Sequence, residues 1–179
     1  FNEVDLSEAK LIRCNLESAN LISTNLENAN LAEANLQGAK LIAANLHRTN
    51  LRKARLKHAN LLTAVLSHID LTEVDLRGHD LRGQDLMGAI LANSDLSGQD
   101  LSGKDLSGVN FDGANLTGAN LSHCNLQKAS MEKAKLQQCT FASTNLMGIN
   151  LKGCNLSNID FSGLKLSGAN LSHCDLRQA

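Results

Sequence analysis

Large apolar residues recur along this chain at a strict interval of five. From Phe1 to Leu176 every fifth residue is Leu, Phe or Met, at 36 positions out of 36, with no insertion. The run Leu106-Ser107-Gly108-Val109-Asn110-Phe111-Asp112-Gly113-Ala114-Asn115-Leu116 shows the unit: a small residue, Asn or Asp, the large apolar residue, then two polar or glycine residues. An α-helix turns about 100° per residue, so apolar residues five apart would drift round its axis and form no stripe. A flat strand alternates with a period of two and would send successive leucines to opposite faces. A short fixed repeat without drift predicts a solenoid, in which each repeat forms one wall of a coil. The central residue and the one two before it then point inward. The residue between them points out, and the two that follow make the corner.

The glycines locate that corner. All 13 lie two places after a central residue, from Gly38 to Gly168. A type II turn needs φ > 0 at its second central residue, which Gly adopts without steric cost. The first 60 residues carry mainly Ser, Glu, Asn, Arg and His at this place, which predicts other turn types for those corners. The absence of Pro suits a stacked ladder, where each backbone N–H must bond to a neighbouring coil.

With its Ala-(Asp/Asn)-Leu-x-x units, unbroken in phase over the whole chain, the sequence resembles the pentapeptide-repeat family. The resemblance implies an all-β fold, a right-handed quadrilateral β-helix with 20 residues per coil. About nine such coils, about 4.8 Å apart, would make a rod of roughly 43 Å forming a single domain over residues 1–179. Phe141 and Phe161 lie 20 residues apart, as do His79 and Gln99, and Gln84 and Lys104. Cys124, Cys139 and Cys154 recur at 15, so the internal spacing alone leaves the coil length open.

Composition narrows the function. A net charge of −1 gives no long-range field of either sign, and no apolar run is long enough to span a membrane. The five cysteines all occupy the small inward position, which reads as core filling in a reducing, cytoplasmic setting, not a disulfide framework. In the pairs His123-Cys124 and His173-Cys174 the phase points His out and Cys in, so neither pair can share a metal ion. No cofactor is expected. The chain starts on a core-type Phe1 and ends on an inward-type Ala179, which suggests a segment of a larger protein, with an end-to-end dimer as the alternative.

Four surface features stand out. Ile22, Ile42 and Leu62 follow central residues at 20-residue spacing, with Val65 across the corner, and predict an apolar stripe for a protein partner or flanking domain. Arg48, Arg52, Lys53, Arg55 and Lys57 form a basic band, but without interleaved aromatics it argues against nucleic-acid binding. Asp75, Asp80, Asp85, Asp95, Asp100 and Asp105 form an acidic band, with Arg55 expected to stack beneath Asp75. His79, Gln84, Gln99 and Lys104 replace the small inward residue and predict either a hydrogen-bonded polar seam or, as the preferred reading, a locally distorted wall from which these side chains escape.

No nucleophile accompanies these groups, so no enzyme activity is expected here, although a catalytic domain elsewhere in a parent protein is compatible with the sequence. The reading is a non-catalytic protein–protein interaction scaffold. The family resemblance adds two settings: the β-helical module of a bacterial effector delivered into host cells, and, as the alternative, a DNA-mimicking rod that binds DNA gyrase. The near-neutral charge and the basic band speak against the second.

Overall fold

The computed structural model describes the whole chain, residues 1–179. Its bridges are all parallel and all join residues 20 apart, from Asp5↔Asn25 to Asn155↔Asp175. Twenty residues therefore make one coil of four five-residue repeats. Each bridge sits on the outward residue just before a central one and stands alone, because a wall of three extended residues is too short for a longer strand.

Three backbone bonds per wall tie neighbouring coils. The central Leu31 donates its N–H to Asn50 O at 2.8 Å, and the corner residue Glu33 donates to Arg52 O at 2.8 Å. Asn50 N–H returns a bond to Ala29 O at 2.9 Å. The central side chains and the small inward residues pack into one continuous core of 49 buried residues.

The corners correct an expectation. Non-glycine corner residues of the first 60 adopt the same left-handed backbone as the glycines, from Glu3 at φ 57° to His58 at φ 61°. One turn geometry serves the whole rod, and the ladder bonds that follow it offset the strain on an L-residue. Gly83 is the only corner residue outside the left-handed region. Space sets a second demand at Gly88, where a Cβ would run into the His68 ring.

The outward Asn and Asp have a structural task of their own. Asn25 Oδ1 accepts the corner N–H of Glu27 at 3.1 Å, and Asn45 Nδ2 donates to Asn25 Oδ1 at 3.1 Å. Asn25 Nδ2 in turn reaches Asp5 Oδ1 at 3.0 Å. Asn thus pins its own corner and passes a bond along the rod. An ionised Asp can accept but not donate, so Asp95, bridged to Asp75, continues no side-chain ladder.

The ladder parts in two places. No backbone hydrogen bond joins residues 54–66 to residues 75–86, and none joins 78–88 to 97–107. The stretch around Leu81 is therefore held by its buried leucines and its own turns. Four coils on, walls part again between residues 134–143 and 155–163. There the inward residues are bulky: Ile159, Phe161 and Leu164, with Phe161 stacked on Phe141 at 6.2 Å between ring centres.

Candidate functional site: an apolar corner beside a parted wall

Backbone bonds put the apolar stripe on one corner of successive coils. Glu3 N–H donates to Ile22 O, Ser23 N–H to Ile42 O, and Ala43 N–H to Leu62 O, at 2.9–3.0 Å. Ile22 and Ile42 are half-buried, whereas Leu62 is 61% and Val65 46% exposed. Sequence reasoning missed Met87 and Ile90, which are exposed one coil further on and widen this apolar surface round the corner. Their signal was present, since both stand at outward places of the repeat.

At Leu62 the stripe meets the parted wall. A cleft of about 820 Å³ opens there between residues 57–62 of one coil and residues 75–80 of the next. Its cause lies in the inward position. Thr24 and Thr49 show what that position does elsewhere: each Oγ1 donates to the carbonyl of a central residue one coil back, Phe1 at 2.6 Å and Leu26 at 2.7 Å. That carbonyl already accepts the N–H of the inward residue three on, Val4 or Ala29, and the side chain takes its second lone pair. Gln84 and Gln99 make the same bond with a longer arm, to Leu61 O at 3.0 Å and Leu76 O at 2.9 Å. Each glutamine is only 7% exposed, so its side chain stays between the coils instead of leaving the wall.

Lys104 is half-buried, and its Nζ donates to Arg82 O at 2.9 Å and Gln84 O at 2.7 Å. It thereby satisfies two carbonyls that the lost ladder leaves open. Burial pushes the Lys104 ammonium below its usual range, against the pull of Asp85, Asp100 and Asp80. Burial likewise pushes the His79 imidazole down, opposed by Asp75 and by the backbone of Leu56 and Ala59. Gln84, Gln99 and Lys104 form a hydrogen-bonded seam across a parted wall, and the two glutamines stay buried in it, against the expectation that distortion would let these side chains escape.

Part of the acidic band is neutralised by arginines of its own coils. Asp75 pairs with Arg77 at 2.7 Å, not with Arg55, because an arginine two residues on reaches round its own corner in a bidentate bond. That guanidinium holds Asp75 at a pKa of about 2, and Arg82 does the same for Asp80. Arg77 also lies 3.5 Å from Asp95. Asp100 and Asp105 are held below the usual range by bonds from Ser102 and Ser107. Asp85 accepts the corner N–H of Met87 at 2.9 Å. In the basic band, Arg52 faces Asp70 at 3.6 Å and Lys53 faces Glu73 at 3.5 Å, while Arg48, Arg55 and Lys57 have no carboxylate partner.

The cysteines do more than fill space. Cys124, Cys139, Cys154 and Cys174 each place Sγ 2.9–3.0 Å from a central carbonyl one coil back, the bond that Thr makes. Burial pushes the Cys139 and Cys154 thiols up to about 11. The sequence carried a signal for this role: the polar inward residues are Thr, Ser, Cys, His, Gln and Lys, all of them donors, and never Asp or Glu. No three His, Cys, Asp or Glu side chains come together as a metal-binding group, and no helix is long and apolar enough to cross a membrane.

Comparison with family models identifies the repeat. The family model for pentapeptide repeats (8 copies) matches residues 1–32, 29–62 and 64–103, and that for a pentapeptide repeat region matches 114–179. HetL, a pentapeptide repeat protein involved in heterocyst differentiation regulation from the cyanobacterium Nostoc sp. strain PCC 7120, is 35% identical. The match covers 98% of this chain and 73% of HetL, with a TM-score of 0.44. QnrB1, a plasmid-mediated fluoroquinolone resistance protein, is 19% identical over 93% of this chain and 89% of its own, with a TM-score of 0.43. A pentapeptide repeat protein of the Arabidopsis thaliana thylakoid lumen is 20% identical over 90% of this chain and 68% of its own, with a TM-score of 0.21. Among the curated proteins compared, none matches. With family models matching most of its length and the five-residue repeat unbroken from end to end, the chain belongs to the pentapeptide-repeat family.

Proposed function

We propose that this chain is a non-catalytic interaction rod that docks a protein partner or a flanking domain on the corner formed by Ile22, Ile42 and Leu62, with Val65 beside it. The observation that carries this reading is the stacking of three apolar side chains on one corner, ending on the exposed Leu62 and Val65. Contiguous exposed apolar surface is costly to leave in water and marks contact surfaces. The cleft next to it brings His58 and His79 near Asp75 and Asp80 without any Ser, Thr or Cys, and both carboxylates are engaged by their own arginines. A setting within a larger protein, such as a bacterial effector, rests on family analogy alone.

The DNA-mimicking alternative has weaker support, because Asp75 and Asp80 are paired with their own arginines and the net charge is −1. Affinity capture from bacterial and animal-cell lysates separates the two readings. A partner retained by the wild type and lost in Ile42→Lys/Leu62→Lys, with β-structure and melting temperature unchanged, is the expected result. Recovery of gyrase indifferent to those substitutions, with inhibition of supercoiling at micromolar protein, would replace this reading with DNA mimicry.

A further inference from the structure

We propose that the cleft between residues 57–62 and 75–80 is a second binding site, one that takes an extended peptide as an added strand between two coils. Everywhere along the regular walls the ladder groups are paired; at this cleft both lips are open. On one lip the N–H groups of His58 and Leu61 have no acceptor. Across the gap the carbonyls of Arg77 and Asp80 and the N–H of Asp80 have no ladder partner. In the intact coils these are the groups that bond to each other, so their directions already match those of a parallel strand. An inserted peptide accepts from His58 and Leu61 with its carbonyls and donates to Arg77 and Asp80 with its amides. Open strand edges are templates for such pairing.

The rest of the cleft states what side chains the peptide carries. Lys57 is the cation of the lining without a carboxylate partner, and Arg77 stands one coil on at the same corner. An Asp or Glu of the peptide pairs with Lys57, whereas Arg77 is held by Asp75. At the other end Leu62 is exposed, and a large apolar residue fits against it. The occupant is thus an extended segment with a carboxylate near one end and a bulky apolar residue near the other. The Gln84 side chain, bonded to Leu61 O, keeps the wall apart and the entrance ready, with His79 lining the cleft.

The site rests on the parted ladder, whereas the docking corner rests on exposed apolar side chains; the two share Leu62 and are told apart through Ile42, which lies outside the cleft. Octapeptides selected from a random displayed library on the folded protein are resynthesised and measured by fluorescence polarisation, with amide hydrogen exchange read residue by residue. The selected peptides are expected to be acidic at one end. They should slow exchange at His58, Leu61 and Asp80, and lose affinity about tenfold or more when alternate residues are N-methylated. Lys57→Glu should weaken acidic peptides, and Ile42→Lys, outside the cleft, should leave them unchanged. His79→Ala/Gln84→Ala should close the wall, abolish binding and protect the same amides without peptide. Failure to select any peptide that protects these amides overturns the proposal. Equal binding by the N-methylated form, or binding lost only in Ile42→Lys, does so as well.

Discussion

The coils around residues 21–53 and the wall around Leu81 obey the same repeat but hold together differently. In the first, three backbone bonds per wall join each coil to the next, Asn side chains pass bonds along the outside, and Thr24 and Thr49 close the inside. In the second, the leucines remain buried while the backbone ladder is missing on both sides. Hydrophobic burial and hydrogen bonding, which coincide elsewhere in the rod, are separated here. The difference teaches that the length of the inward side chain governs the ladder. A donor as short as Thr or Cys reaches the carbonyl one coil back with the coils in contact, whereas Gln makes the same bond only with the coils apart.

The largest expected effect tests the burial half of that contrast. Leu46→Ala, at a fully buried position in a laddered coil, should cost about 2–5 kcal/mol in denaturant unfolding. Leu81→Ala should fall at the low end of that range, because an unladdered wall can settle into the cavity. Equal losses at the two sites would show that the parted wall is as rigid as the rest.

Next in size is an exchange of inward residues. Ala44→Gln, which puts the long arm into a closed coil, should destabilise by about 1–3 kcal/mol through overpacking. It should also raise hydrogen exchange at Asn45 and Val65, which now bond to Thr24 and Ala44 carbonyls. If the ladder there stays protected with Gln in place, side-chain length is not what parts the wall.

The smallest effect is electrostatic and belongs to the parted region. Asp75 and Asp80 are held at about 2 by Arg77 and Arg82, below their ordinary value of 3.8. A depressed carboxylate stabilises the fold above its unfolded pKa, and that contribution disappears as pH falls through the folded one. The melting temperature should therefore drop between about pH 4 and pH 2. Arg77→Gln/Arg82→Gln should shrink this drop and lower stability at neutral pH by the same amount, a small one because both pairs are solvent-exposed. An undiminished drop in the variant would assign the acid sensitivity to other carboxylates.

Much of this was legible in the sequence. The interval of five places every central residue, the phase assigns inward and outward positions, and the 20-residue recurrence of Ile22, Ile42 and Leu62 foretold a shared corner. Two readings went astray for a common reason. Expecting non-glycine corners to turn differently weighed only the intrinsic preference of Ser, Glu or Arg, whereas the ladder imposes one geometry on all of them. Expecting Arg55 to neutralise Asp75 weighed stacking alone, whereas Arg77 closes a bidentate bond round its own corner. The donor role of Thr, Cys and Gln was hidden because its acceptor lies one coil away.

What the sequence by itself determined is the architecture of this rod. A strict local period fixes which face each residue takes, and burial of one large apolar residue per repeat is satisfied by one coil shape. Only the tertiary structure decided where the coils stay in contact and where they part. That outcome depends on how far Gln84, Gln99 and Lys104 reach across to carbonyls of neighbouring coils, and on whether Asp or Asn stands above Asp. These are distances between residues some 20 apart, set by side-chain length and hydrogen-bond geometry.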